Sequence, residues 1–286
     1  LSSVTAVSAH EAWAVGQTGT DFTVRRKTLI LRWNGTSWRR VPSPSLGISG
    51  NLFSVTATSA DNAWAVGWAQ YDAPRILPLF ERWNGKSWRL VRTPVSKVIS
   101  YFYTVAASSA DNVWAVGTDL DFQSIMLHWD GIRWSAVPGP PLKRGVDYQG
   151  SAVTADGTAF AVGETGLERT LAASWNGRSW TRQHTMTPKA GGLLNGVAAT
   201  SSTSAWAVGS ADGAVPRAFI LRWNGRSWMR VPSPISGKCS GLAGVAAISA
   251  ANAWAVGFSN GCARTMVLHW TGHGWKRVPS PCKPGS

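Results

Sequence analysis

Short apolar stretches, alternating or continuous, recur along this chain at a fixed spacing. Five of them read Ala/Val-Trp-Ala-Val-Gly, around Trp13, Trp64, Trp114, Trp206 and Trp254; a sixth reads Ala-Phe-Ala-Val-Gly, with Phe160 in the Trp position. Each is followed by Trp-Asn-Gly-x-Ser-Trp or a close variant, with Trp pairs at 33/38, 83/88, 129/134, 175/180, 223/228 and 270/275. Every copy holds four strand-length pieces. Strand A is Leu-x-x-Val-x-Ala-x-Ser, and strand B is Ala-Trp-Ala-Val-Gly. Strand C is the run ending at the first Trp of the pair (Thr28 to Trp33), and strand D is Ser-Trp-x-x-Val-Pro (Ser37 to Pro42). Alternating or short apolar runs bounded by turn residues are the strand signal, and no segment carries a helical period with caps.

Turn chemistry separates the pieces. Ser-Ala-Asp-Asn at 59–62 and 109–112 predicts a tight A–B turn. Asn-Gly at 34–35, 84–85, 176–177 and 224–225 predicts a hairpin between C and D. Repeats begin at Leu1, Leu52, Phe102, Tyr148, Leu194 and Leu242, a period of 46–51 residues. Four antiparallel strands at that period make a propeller blade. The expected architecture is all-β: a six-bladed β-propeller in one domain, residues 1–286, with blades at about 1–51, 52–101, 102–147, 148–193, 194–241 and 242–286. Each blade comes from one continuous repeat, so no strand is exchanged between the first and last.

Seventeen of the eighteen tryptophans obey the repeat. Burying one removes about 150–250 Å² from water, so these are assigned to packing. Trp68 breaks the pattern and is a ligand-binding candidate. The A–B and C–D turns share one face and hardly vary. The B–C loops share the other and differ in every copy: Gln17–Lys27, Trp68–Arg75, Thr118–Gln123, Glu164–Arg169, Ser210–Arg217 and Phe258–Arg264. Variable loops on a rigid scaffold are the usual carriers of a site. On that face Tyr71, Arg75, Arg169, Arg217 and Arg264 are ligand-binding candidates, the arginines as part of a basic ring suited to an anionic ligand. Aromatic and amide residues at the starts of strand A, namely Phe53, Tyr101, Tyr103, Gln149 and Asn195, suit sugar recognition at the channel mouth. Asp72, Glu81, Asp119 and Asp147 are the carboxylates that general acid or nucleophilic chemistry would use. Glu81 stands out because it takes a strand C position held elsewhere by Leu31, Leu127, Ala173, Leu221 and Leu268. The neighbouring ring of Arg32, Arg82, His128, Ser174, Arg222 and His269 reads as a hydrogen-bonding layer between blades.

Charge and cysteine content narrow the picture. The net charge is +14, and many of the cations fall in strand D with Pro42, Pro44, Pro94, Pro232, Pro234, Pro279 and Pro281. Lys, Arg and Pro on an outer strand prevent edge-to-edge pairing. Without an aromatic-basic stacking platform, that rim disfavours nucleic acid. No run is long enough for a membrane span. No cofactor and no metal is expected, since the three cysteines lack ligand spacing. Cys239 and Cys262 map to neighbouring loops of one face and are expected to form a disulfide, with Cys282 the competing partner, which implies export. The sequence opens without a basic-plus-apolar signal and Leu1 already begins a repeat, so any targeting segment is expected to have been removed or to lie outside this sequence.

At Ala-Trp-Ala-Val-Gly and Trp-Asn-Gly-x-Ser-Trp the chain resembles secreted Trp-rich repeat proteins of actinobacteria and related soil bacteria. More distantly each copy is similar to Asp-box (BNR-type) repeats, found in the photosystem II assembly factor of plants and cyanobacteria and in sialidases. Only Asp130-Gly131 keeps the Asp of that box. The sialidase Arg-Ile-Pro signature is missing, and Pro74-Arg75-Ile76-Leu77 only approximates it. The resemblance implies a propeller and leaves activity open. Two readings follow. One is a secreted, monomeric binding propeller recognising a glycan or other extracellular macromolecule through its variable-loop face. The other is a carbohydrate-active hydrolase or lyase using the loop carboxylates.

Overall fold

In a computed structural model the described residues are 1–19, 25–44, 47–72, 75–96, 99–142, 145–166, 169–235, 239–259 and 264–280, with backbone alone for Asp72 and Arg75. They form six four-stranded antiparallel sheets, each built from four consecutive strands. The fold is therefore an all-β, six-bladed propeller without strand exchange, as the repeat predicts.

The chain divides into two compact units, Leu1–Gly139 and Pro140–Ser286. The first holds blade 1 (β1 Ser3–Ser8, β2 Glu11–Thr18, β3 Lys27–Trp33, β4 Trp38–Val41), blade 2 (β5 Ser49–Ser59, β6 Asn62–Asp72, β7 Arg75–Trp83, β8 Trp88–Leu90) and blade 3 (β9 Ser100–Ser109, β10 Asn112–Asp119, β11 Ser124–Trp129, β12 Trp134–Val137). The second holds blade 4 (β13 Val146–Val153, β14 Ala159–Thr165, β15 Arg169–Trp175, β16 Trp180–Gln183), blade 5 (β17 Gly192–Ser201, β18 Ser204–Ala211, β19 Arg217–Trp223, β20 Trp228–Arg230) and blade 6 (β21 Ser240–Ser249, β22 Asn252–Ser259, β23 Arg264–Trp270, β24 Trp275–Val278).

Tryptophan does two jobs. The Trp ending strand C sends its indole N–H to the carbonyl of the A–B turn: Trp33 to Ala9 at 3.0 Å, Trp83 to Ala60 at 2.9 Å, Trp129 to Ala110 at 3.2 Å, Trp223 to Ser202 at 2.9 Å and Trp270 to Ala250 at 3.2 Å. This bond puts the A–B and C–D turns of a blade at the same end. Within each unit a strand B Trp instead inserts into the next blade. Trp13 meets Trp83 and Trp88 at 4.9 and 5.2 Å, Trp64 meets Trp129 and Trp134 at 4.9 and 5.1 Å, and Trp206 meets Trp270 and Trp275 at 4.7 and 5.0 Å. One partner is tilted and the other edge-on, the arrangement the ring quadrupole favours.

The polar ring beside these tryptophans is structural. Arg32 lies 5.1 Å from the Trp13 ring and 5.3 Å from Trp83, and Glu11 holds it at 2.8 and 2.9 Å. Arg82 sits likewise between Trp64 and Trp129 and donates to Asn62. His128 and His269 lie against Trp114 and Trp254 and bond Asn112 and Asn252 at 2.9 and 3.0 Å. Cation–π attraction on a partly desolvated Trp face contributes about 0.5–2 kcal/mol each.

The C–D turn is a four-residue loop rather than a two-residue hairpin, because Trp33 pairs with Trp38 and Trp83 with Trp88. The Asn side chain closes it: Asn84 Oδ1 accepts from the Lys86 and Ser87 N–H groups, and Asp130 does the same for Ile132 and Arg133. Those backbone donors also stabilise the ionised carboxylate of exposed Asp130 and hold its pKa below the usual carboxylate range. The following glycine takes the left-handed conformation, φ +87° at Gly85, which only glycine adopts freely.

Candidate functional site

The first strand of a blade is not regular. A one-residue bulge interrupts it where Leu52, Phe102, Tyr148, Leu194 and Leu242 hand over to the rest of the strand. The extra residues are Phe53, Tyr103, Gln149, Asn195 and Ala243. A bulge re-aims one side chain out of the pleat, and such kinks gather at functional sites. Its cause is readable in strand B. A Cβ on Gly117 would strike the carbonyl oxygen of Tyr101, and one on Gly67 that of Asn51. The Gly of Ala-Trp-Ala-Val-Gly thus exists to let the kinked strand lie close.

In the first unit the bulges bring three predicted residues together. Phe53 and Tyr103 are 5.3 Å apart at 32°, and Tyr103 stacks on Tyr101 at 6.3 Å and 17°. All three are half-buried. Their strands are stitched through hydroxyls, Val55 N–H to Ser3 Oγ at 3.3 Å and Val105 N–H to Ser54 Oγ at 3.1 Å. The result is a fixed row of rings with two phenol hydroxyls, apolar in body and hydrogen-bonding at its edge.

In the second unit the bulge residues of blades 4 and 5 are polar, and that of blade 6 is Ala243. Gln149 favours the charged form of Asp147, and Asn195 donates to the Leu242 carbonyl at 2.8 Å, so it ties blade 5 to blade 6. Burial pushes the Asp147 carboxyl up, and its Oδ1 is buried without a partner among the described residues. Glu164 is directly opposite Asp147 across β13 and β14. Tyr148 is fully buried in the Leu position, and burial raises its phenol well above the ordinary value.

No protein-family model and no curated protein matches the sequence. Among solved structures, the chain is similar to YCF48 bound to D1 peptide, with 16% identity and a TM-score of 0.62 over 96% of this chain and 79% of that one. It is similar to the fucose-specific lectin from Aleuria aurantia, with 11% identity and a TM-score of 0.60 over 96% and 93%. It is also similar to the GH74 xyloglucanase from Xanthomonas campestris, with 14% identity and a TM-score of 0.66 over 98% of this chain but 45% of the other. At such identities the likeness is one of fold.

The remaining predicted residues are dispersed. The segment from Trp68 to Arg75 is mostly strand, since β6 and β7 run on to the pair Asp72 and Arg75. Alternation along β6 puts Trp68 on the Trp64 and Val66 face, whereas Tyr71 packs with Ala65 and Ala69 against the core between blades 1 and 2. The side chains of Asp72 and Arg75 lie outside the description. Arg169, Arg217 and Arg264 are exposed at the first positions of β15, β19 and β23, two strands away from the strand that carries the bulge. Asp119 is tied into its own loop, accepting from the Asp121 and Gln123 N–H groups at 2.9 Å. Glu81 is completely buried. Cys239 is half-buried, and Cys262 and Cys282 fall outside the described residues, as therefore does the disulfide expected between Cys239 and Cys262. The bulges themselves, which select the row, have no signature in the apolar pattern.

Proposed function

We propose that this chain is a secreted binding propeller that recognises a glycan or another extracellular macromolecule through the strand A bulge residues. The observation that carries the reading is the row Phe53–Tyr103–Tyr101, half-exposed and held in place by backbone kinks rather than by a loop. Rings of this kind present apolar surface to sugar C–H groups and hydroxyls to sugar oxygens. A lectin and a peptide-bound protein among the similar structures support a binding role. No cation flanks the row in strand A, so it favours a neutral over an anionic ligand. The test is a glycan array followed by titration of the hits. Wild-type binding that falls at least tenfold in Phe53→Ala and Tyr103→Ala, with folding intact, supports the reading. Unchanged binding in both variants refutes it.

One observation favours a second reading, a carbohydrate-active enzyme. Asp147 and Glu164 oppose each other, and burial keeps a proton on Asp147 to higher pH than usual. A retained proton beside a second carboxylate is what acid-catalysed glycoside cleavage requires. Release of reducing ends from polysaccharides, abolished in Asp147→Asn, would establish it. Export is tested by locating the native protein in cell and medium fractions.

A further inference from the structure

Glu81 belongs to neither reading. It is wholly buried toward the end of β7. Ala65 lies directly opposite it on β6, and it takes the place that Leu127, Leu221 and Leu268 hold in the apolar cores of their blades. The other five blades place Leu or Ala at this position. Among the described side chains, one hydroxyl bonds it. Ser43, in the connection leaving blade 1, donates to Oε1 at 2.8 Å and lies 3.1 Å from Oε2. Ser43 in turn is 2.8 Å from Thr28 Oγ1 on β3, where either oxygen can donate.

Among the described side chains, none supplies a countercharge. Directly opposite Glu81 on the outer strand is Leu90. The same outer-strand position is Arg40, Arg182, Arg230 and Arg277 in blades 1, 4, 5 and 6, each facing an apolar residue. The repeat therefore has an arginine available for this pairing, and the one blade with a buried acid has leucine instead. On the blade 1 face that packs here, Arg32 is held by Glu11, and Arg39 opposite it is exposed. Arg26 lies at the entrance to β3. On the sheet that carries Glu81, Tyr71 shares its face, and Arg75 begins the strand six residues away. Among the described side chains only Ser43 favours the charged form, while burial opposes it.

We propose that Glu81 is a proton-binding site that makes the blade 1–blade 2 junction sensitive to pH. With Glu81 protonated, the chain runs from its own O–H to Ser43 and on to Thr28, and every oxygen is neutral. With Glu81 ionised, the chain must reverse, Thr28 to Ser43 to carboxylate, and a single hydroxyl faces a charge enclosed by apolar side chains. A buried charge so poorly compensated favours openings that admit water. The openings fall on the elements the chain joins. These are the link into blade 2, where Ile48 N–H donates to Gln70 O at 2.7 Å and Gly50 N–H to Arg26 O at 2.8 Å, and the β6 extension bearing Trp68 and Tyr71.

Amide hydrogen exchange of the intact chain between pH 5 and 8.5, corrected for intrinsic rates, tests this. One ionisation coupled to opening raises the open population roughly tenfold per pH unit until the buried carboxyl has titrated. The wild type should therefore lose protection at 47–50 and 68–71 as pH rises, and strand β17 in the other unit should not. Glu81→Leu, which restores the repeat's own residue, and Glu81→Gln should both abolish the pH dependence. Leu90→Arg should weaken it by supplying a partner. A wild type whose pH profile matches that of Glu81→Leu overturns the proposal, and so does loss of protection shared equally by β17.

Discussion

Phe160 faces Ser174 directly across β14 and β15, at the position where the other five blades pair Trp with Arg or His. The Phe160 ring stands 6.3 and 6.1 Å from Trp223 and Trp228, looser than the 4.7–5.2 Å of Trp13, Trp64 and Trp206 with their partners. Trp is the best cation–π acceptor, so losing it removes the reason for the cation. A double-mutant cycle in urea unfolding should show Phe160→Trp and Ser174→Arg stabilising each other by about 0.5–1 kcal/mol. Simple additivity would mean that stacking does not couple the positions.

Gly117→Ala should be among the most damaging small changes in the first unit. Its methyl meets the Tyr101 carbonyl and comes within 2.9 Å of the Phe102 Cα, both backbone. Relieving the clash means moving the bulge, at a cost of about 2–4 kcal/mol. Chemical denaturation measures the loss, and ligand affinity should fall with it because Tyr101 and Tyr103 shift.

Asn84→Ala should cost about 1 kcal/mol, since two turn N–H groups lose their acceptor. Asn84→Asp should be nearly neutral, because Asp130 already does this work in blade 3.

Stability should depend on pH through Glu81. Its carboxyl is pushed from 4.5 up to about 7 by burial, against a smaller opposing effect of Ser43. The folded state therefore holds the proton more tightly than the unfolded one. No penalty exists below about pH 4.5; it grows up to pH 7 and is complete above. The full penalty is about 3 kcal/mol from that shift. Glu81→Leu should raise the unfolding free energy at pH 8 by at least that amount and change it least at pH 4.5, as followed by circular dichroism in denaturant.

Tyr103→Ala should separate binding from stability. The ring is half-exposed and contacts Phe53 and Tyr101, themselves half-buried, so unfolding should shift by about 1 kcal/mol or less. Loss of glycan binding in that variant, measured by calorimetry, assigns the row to recognition.

The repeat alone determines the six blades, the order of strands within each and the burial of most of the repeat tryptophans, Trp38 being the exposed one. Those features come from local alternation and turn chemistry repeated six times, which any one copy would leave ambiguous. The sequence also marks Glu81 as anomalous, because a carboxylate interrupts a column of Leu and Ala. What a charge-free position costs, and which residue answers it, depends on Ser43, thirty-eight positions earlier, meeting it from the neighbouring blade. The same limit applies to the site. Trp68 and Tyr71 look adjacent in sequence, yet strand alternation sends them to opposite faces of β6. Phe53 and Tyr103 are fifty residues apart, yet adjacent bulges set their rings 5.3 Å from each other. Local pattern determines which element a residue joins, and only packing between blades decides which residues share a surface, because those contacts link positions a full repeat apart.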